Sequence, residues 1–317
     1  MESAPRPASW KILLAFAIIY FVWGSTFLAI RVGVQEVPPF LLAALRFSVA
    51  GVVLYAWMRV RGTPAPSRRQ WAGAFLLGGL IFLVDYGCLF WAEQRVPSGI
   101  AAVVLATIPV FITLLEIAFL RSQQLTVRLG LALLVGLGGV AVLMNHSFSL
   151  GEIPVDRRGA VALLVAAFTW SIATILTRRL DLPASKPMSA AAQMLAGGAQ
   201  LLVLAAVTGE FSGFHAQAVS AKAWLALLYL IVAGSIVGFT AYIWLLHHES
   251  PTKVGTYAYV NPVVAVAFGY FFGNESVGPR TFVGTLLVLL SVITITTTPK
   301  KHSDPEKQVE LAVAEVD

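Results

Sequence analysis

The chain has 317 residues, of which 58% are hydrophobic and only 12% charged, with a formal net charge of +6. Soluble domains carry about a quarter charged residues, so the deficit excludes a water-soluble globular protein and points to lipid as the solvent. The Lys and Arg residues are scattered between apolar runs instead of forming a basic stripe, which argues against nucleic acid and for the anionic leaflet of a bilayer.

A spanning helix needs about 20 mainly apolar residues. Lys11 precedes the uncharged run Ile12 to Ile30, which is longer than a secretory h-region and lacks a small-residue cleavage site, so it is expected to persist as the first span. Pro39 to Met58 follows with Arg46 inside it, then Trp71 to Ala92 with Asp85, Pro97 to Leu120 with Glu116, and Leu129 to Asn145. Five uncharged runs complete the series: Gly159 to Thr177, Met188 to Gly209, Ala223 to Leu246, Val254 to Asn274 and Thr281 to Thr298. The expectation is an all-α membrane protein of ten transmembrane helices. Cys88 is the single cysteine, which leaves no intramolecular disulfide or multi-cysteine metal site. The tail, residues 299–317, is rich in Glu, Asp and Lys and is expected to be disordered.

With the N-terminus inside, the inner segments hold fifteen Lys and Arg residues against six in the outer loops. That bias predicts both termini in the cytoplasm.

The chain also resembles itself. A shift of 147 residues sets Trp23 on Trp170, Arg31 on Arg178, Gly51 on Gly198 and Arg46 on Gln193, and a shift of 153 sets Trp91 on Trp244 and Pro109 on Pro262. The two shifts superpose the first five spans on the last five, giving repeats over residues 1–145 and 159–298. Because five is odd, the repeats enter the membrane from opposite sides, as in many secondary transporters, with a solute site near midplane between them.

Val22-Trp23-Gly24-Ser25-Thr26-Phe27, Leu45-Arg46-Phe47, Asn261-Pro262-Val263 and Gly273-Asn274-Glu275 resemble the EamA repeats of the drug/metabolite transporter superfamily over nearly the whole chain. The resemblance implies a ten-helix, exporter-like carrier of the bacterial inner membrane, with substrates among amino acids, nucleosides and drugs. Ser122 stands where the first repeat of that family usually has a glutamate comparable to Glu275.

Ionisable groups inside a bilayer cost about 2.5–3.5 kcal/mol on insertion scales and tend to face a cavity or a partner. Asp85 lies a little past the middle of its span: a cavity carboxylate for a substrate ammonium or a coupling proton, or a structural acid paired with Arg46. Arg46 is placed to hold a substrate carboxylate or to serve as a structural cation, and Glu116, near the inner end, to snorkel or to form a gate. Pro109 and Pro262, at matching positions, suit either helix interruptions near a binding site or ordinary kinks that help packing. Trp23 and Trp170 near midplane, and Tyr257 and Asn261 on one helix face, suit either cavity walls or helix-to-helix glue. Ser25, Thr26, Tyr86 and Gln193 complete the candidate substrate-binding set.

No zinc-protease, serine-hydrolase or phosphate-loop motif occurs, and the five histidines fall in loops, span ends or the tail. The reading is a secondary transporter of small solutes, expected to work as a monomer with no cofactor and no bound metal, against a channel or an intramembrane enzyme as alternatives.

Overall fold

The computed structural model describes residues 8–119, 125–144, 156–177, 179–249, 254 and 256–297. The tail over residues 299–317 and Ser122 lie outside the described residues. Among the described residues nine helices are long and apolar enough to span a bilayer, and a tenth apolar helix is shorter. In chain order they are α1 (Ser9–Val34), α2 (Pro39–Val60), α3 (Arg68–Glu93), α4 (Ser98–Ala118), α5 (Val127–Met144), α6 (Arg157–Thr177), α7 (Lys186–Val207), α8 (Ala221–Tyr242, its helix running on to His248), α9 (Tyr257–Gly273) and α10 (Pro279–Thr297).

Local chemistry sets the boundaries. Pro38 and Pro39 open α2, where a missing N–H costs nothing. Ser67 and Gln70 form a reciprocal capping box at the start of α3, and Ser185 and Ser220 cap α7 and α8. Asn274 ends α9 in the left-handed conformation at φ 52°, a geometry asparagine tolerates better than most residues.

Helix contacts follow an inverted two-fold. The pairs α2–α7, α5–α10 and α4–α9 relate each helix to its own repeat mate. The remaining large contacts come as symmetric couples: α1 on α8 with α6 on α3, α1 on α9 with α6 on α4, and α2 on α8 with α7 on α3. The chain is therefore an all-α membrane protein built as two inverted five-helix repeats. Since lipid offers helices no hydrophobic drive to associate, small residues must let backbones approach. A methyl at Gly198 would meet the Ser48 backbone nitrogen at 2.9 Å where α7 crosses α2, and one at Gly139 would meet the Gly284 carbonyl at 3.0 Å where α5 crosses α10.

Three stretches are wound as wider π-helix: Ile18–Val22 in α1, Gly79–Tyr86 in α3 and Leu230–Val237 in α8. The last two occupy equivalent positions in the repeats. Wide turns of this kind release carbonyls from the regular ladder and recur at functional sites.

The prolines behave differently from each other. Helix α4 breaks at Ala106–Thr107, with Pro109 in the first turn of its second half. Helix α9 runs from Tyr257 to Gly273 with Pro262 inside it, where the ring removes one N–H from the ladder.

Candidate functional site

Where α1, α2 and α8 meet, the two halves share a buried polar cluster. Arg46 on α2 is 3% exposed, and its Nε donates to Ser235 Oγ on α8 at 3.0 Å. Ser235 in turn donates to the Leu230 carbonyl five residues back, an acceptor that the π-helical winding presents. The guanidinium also lies over the rings of Phe47, Tyr86 and Phe90, with its carbon 4.8, 5.3 and 6.0 Å from their centres. Such faces stabilise a cation, by about 2 kcal/mol or more when desolvated. Nη1 is buried with no hydrogen-bond partner, so the cluster keeps one strong donor unused.

Trp23 closes one wall. Its Nε1 donates to the Gly234 carbonyl at 3.0 Å, and its ring meets Tyr257 edge-on at 5.1 Å and Tyr242 at 5.4 Å. Gly234 has to be glycine: a methyl there would reach within 2.8 Å of Thr26 and 3.3 Å of Arg46 Nη2. Ser25 bonds the Tyr229 hydroxyl at 2.6 Å, and Thr26 donates to the Trp23 carbonyl at 2.6 Å. Trp170, the repeat mate of Trp23, packs edge-on against Tyr86 at 6.3 Å.

Asp85, beside Tyr86 in the π-helical part of α3, is 3% exposed with Oδ1 unpartnered. Among the described residues no ion pair joins it to Arg46. Asn261 is a bridge: with its amide nitrogen facing the α1 π-turn, it donates to the carbonyls of Ile19 at 3.2 Å and Tyr20 at 3.1 Å, and to Tyr257 at 3.3 Å. Gln193 bonds Ser189 on its own helix at 3.0 Å, and Glu116 is buried in the second half of α4. Thus Trp23, Ser25, Thr26, Arg46 and Tyr257 come together and Tyr86 and Trp170 adjoin them, while Gln193 bonds within its own helix. Ser235 and Tyr229 belong to it as well. Among the described residues no group of three His, Cys, Asp or Glu side chains could hold a metal.

The end of the bundle opposite the chain termini, the far end, is joined by carboxylates. Glu275, just after α9, accepts from the backbone nitrogens of Ser98 at 2.7 Å and Gly99 at 3.1 Å, the start of α4, and pairs with Arg31 Nε at 3.3 Å. Arg31 Nη1 donates to the carbonyls of Glu93 and Val96, both at 2.7 Å. Glu210 accepts from the nitrogen of Leu41 at 2.8 Å at the start of α2, and Glu36 from the nitrogen and hydroxyl of Ser220 at 2.6 and 2.7 Å at the start of α8. Each acid comes from one half and caps a helix of the other, where the helix dipole favours negative charge. Hydrogen bonds from Ser220 hold the Glu36 carboxyl below its ordinary value, whereas partial burial pushes Glu210 up against the opposing bonds from Leu41 and Phe40. At the termini end, by contrast, the caps of α3, α5 and α7 are neutral side chains of the same helix: Ser67, Thr126 and Ser185. A cleft of about 280 Å³ lined by Arg31, Gln35, Glu36, Lys222 and Asn274 opens on the far side of Arg31, outside the buried cluster.

The chain matches the EamA-like transporter family over residues 9–145 and 157–297. It is 35% identical over 283 residues to an uncharacterised inner membrane transporter, YedA, of Escherichia coli, covering 89% of each chain. It is 24% identical over 291 residues to an uncharacterised transporter, YoaV, of Bacillus subtilis, covering 89% of this chain and 95% of that one. A solved crystal structure shares the fold with a TM-score of 0.60 at 23% identity, over 92% of this chain and 98% of the other.

Proposed function

This chain belongs to the EamA-like transporter family, and from that premise we propose that it is an exporter of amino acids or related small metabolites and drugs, working by alternating access in the bacterial inner membrane. The two halves rock against each other about the polar cluster, exposing it to one side and then the other. A single copy encloses the whole pathway, so the monomer is the working unit, with both termini cytoplasmic and the far end outside, as the Lys/Arg bias favours.

One observation carries the substrate class: Arg46 is buried on the boundary between halves, bonded to Ser235 of the other half, with Nη1 free of any partner. An arginine so placed suits a carboxylate, which takes two parallel N–H donors. Asp85, with its own unpartnered oxygen, suits the substrate ammonium. Trp23, Tyr257, Tyr86 and Trp170 supply flat apolar walls. A channel reading is less well supported, since the far end is closed by three acid-to-helix contacts between halves, which suits a gate that opens in turn with another. An enzyme reading has no hydrolase, zinc-protease or phosphate-loop motif in the sequence behind it and, among the described residues, no group of side chains that could hold a metal.

The test is a thermal-shift screen of the purified protein against amino acids, nucleosides and cationic drugs. A ligand bound only by the folded state at about 100 times its Kd adds about 2.7 kcal/mol of stability. The proposal expects zwitterionic amino acids to raise the melting temperature of the wild type and not of Arg46→Gln; stabilisation by nucleosides alone would overturn the substrate class.

A further inference from the structure

Glu93 closes α3 at the far end, and no part of the candidate site accounts for it. It is fully buried, and neither carboxyl oxygen has a hydrogen-bond partner. Few arrangements are less favourable for a charge: an isolated carboxylate without solvent or donors is strongly disfavoured, and such groups take a proton instead. A proton on either oxygen would remove that cost.

Its surroundings make that proton consequential. The charged groups facing it are Glu275 from the segment after α9, Arg31 from α1 and Arg46 from α2. Its remaining neighbours, α4 and α6, bring no charged group to bear on it among the described residues. Arg31 already touches its backbone carbonyl while pairing with Glu275, and Arg46 belongs to the buried cluster. Glu93 thus stands between the contact that holds the far end shut and the candidate binding site.

We propose that Glu93 is the proton-carrying residue of the transport cycle, a switch whose charged form draws Arg31 away from Glu275 and so releases the far-end closure. The inference rests on the transporter reading above and assigns its coupling ion. In the closed state the proton sits on a Glu93 carboxyl oxygen and Arg31 serves Glu275. A transient opening lets a single water reach Glu93, the O–H bond breaks heterolytically with its electron pair staying on the carboxylate, and the proton leaves on that water. The carboxylate that remains repels Glu275 and recruits Arg31, with Arg46, among the described residues, the other cation that acts on it. Reprotonation returns Arg31 to Glu275. A single proton thereby links gate to site through two arginines.

The experiment needs no transport substrate. In a Cys88→Ser background, Ser98→Cys places a thiol at a fully buried position inside the closure. Its labelling by a membrane-impermeant maleimide in liposomes is followed against pH, normalised to the same thiol in denatured protein. The expected result is labelling that rises several-fold from mildly acidic to mildly alkaline pH, and that stays at the low, acidic rate throughout when Glu93→Gln is added. Glu93→Asp keeps an acid and is expected to keep the rise. An unchanged rise in Glu93→Gln overturns the proposal. Should Glu93→Gln fail to fold, infrared spectra of the wild type decide: a neutral carboxyl band that persists in Asp85→Asn and Glu116→Gln supports it, and absence of such a band overturns it. Counterflow of a radiolabelled amino-acid mixture by the wild type tests the transport reading separately, so loss of one leaves the other standing or falling by its own result.

Discussion

Arg31 and Glu275 meet at 3.3 Å across the boundary between the two halves, and each holds backbone of the other's neighbours: Arg31 the carbonyls that end α3, Glu275 the nitrogens that begin α4. One ion pair therefore fixes the α3–α4 turn to both α1 and α9. Its environment is largely buried, so removing one partner leaves the other's polar groups unsatisfied.

Glu275→Gln is expected to lower stability by about 1–3 kcal/mol, the usual cost of stranding buried donors and a charged partner. Arg31→Ala should cost about as much, and the double variant less than the sum, because both act on one contact. A double-mutant cycle on detergent melting temperatures checks this; strict additivity would mean that the two residues act independently.

The far-end acids predict opposite pH responses. Glu36 is held below its ordinary value, so its contribution is complete above that value and is lost as pH falls through the lowered one. Glu210 is raised by burial, so its contribution is complete below the ordinary value and is lost as pH rises through the raised one. Between about pH 4 and 7, Glu36→Gln should therefore depart from the wild type most at the neutral end. Glu210→Gln should match or exceed wild-type stability there and converge with it on acidification. Melting curves over that range read both; a common direction for the two variants would contradict the assignment.

Trp23→Phe removes the donor to the Gly234 carbonyl and should destabilise by about 0.5–1.5 kcal/mol while keeping the aromatic wall. Gly234→Ala drives a methyl into Thr26 and against Arg46, with an overpacking cost of about 1–3 kcal/mol. Ligand-induced thermal shifts should survive the first and fail in the second. Equal retention in both would remove Gly234 from the site's geometry.

Asn261→Leu should cost about 1–3 kcal/mol, because the Ile19 and Tyr20 carbonyls lose their donor in a lipid-surrounded bundle that offers no water. Asn261→Asp is expected to be worse than Asn261→Leu, since it sets a carboxylate against those carbonyls. Melting temperatures of the two variants order them, and the reverse order would mean that the amide does not face α1.

Much of this architecture was legible because lipid constrains a sequence strongly. Uncharged runs such as Gly159 to Thr177 leave no alternative to a span, and the Trp23–Trp170 and Pro109–Pro262 registers expose the repeat. Charge was read less well. Arg31 and Arg280 look like loop cations, yet Arg31 is bound to two carbonyls and a carboxylate, and Arg280 is almost fully buried. Glu93 falls one residue beyond the expected span Trp71 to Ala92, so its burial carried no signal. Ser235 and Tyr229 are neutral residues in an apolar helix, and nothing local distinguishes a serine aimed at an arginine from one packed against a neighbour. The π-helical turns that present the Leu230 and Gly234 carbonyls arise from tertiary fit, not from a residue pattern.

Alternating access by two inverted halves and diffusion through a pore differ in how they respond to solute on the opposite side of the membrane. Counterflow in liposomes tests that difference most directly: uptake of a trace radiolabelled amino acid into vesicles preloaded with the unlabelled compound, against empty vesicles. Alternating access gives uptake that is accelerated and transiently concentrative when substrate is present inside the vesicles, and that is abolished in Arg46→Gln. Uptake that follows the gradient alone, indifferent to what the vesicles contain, would contradict it.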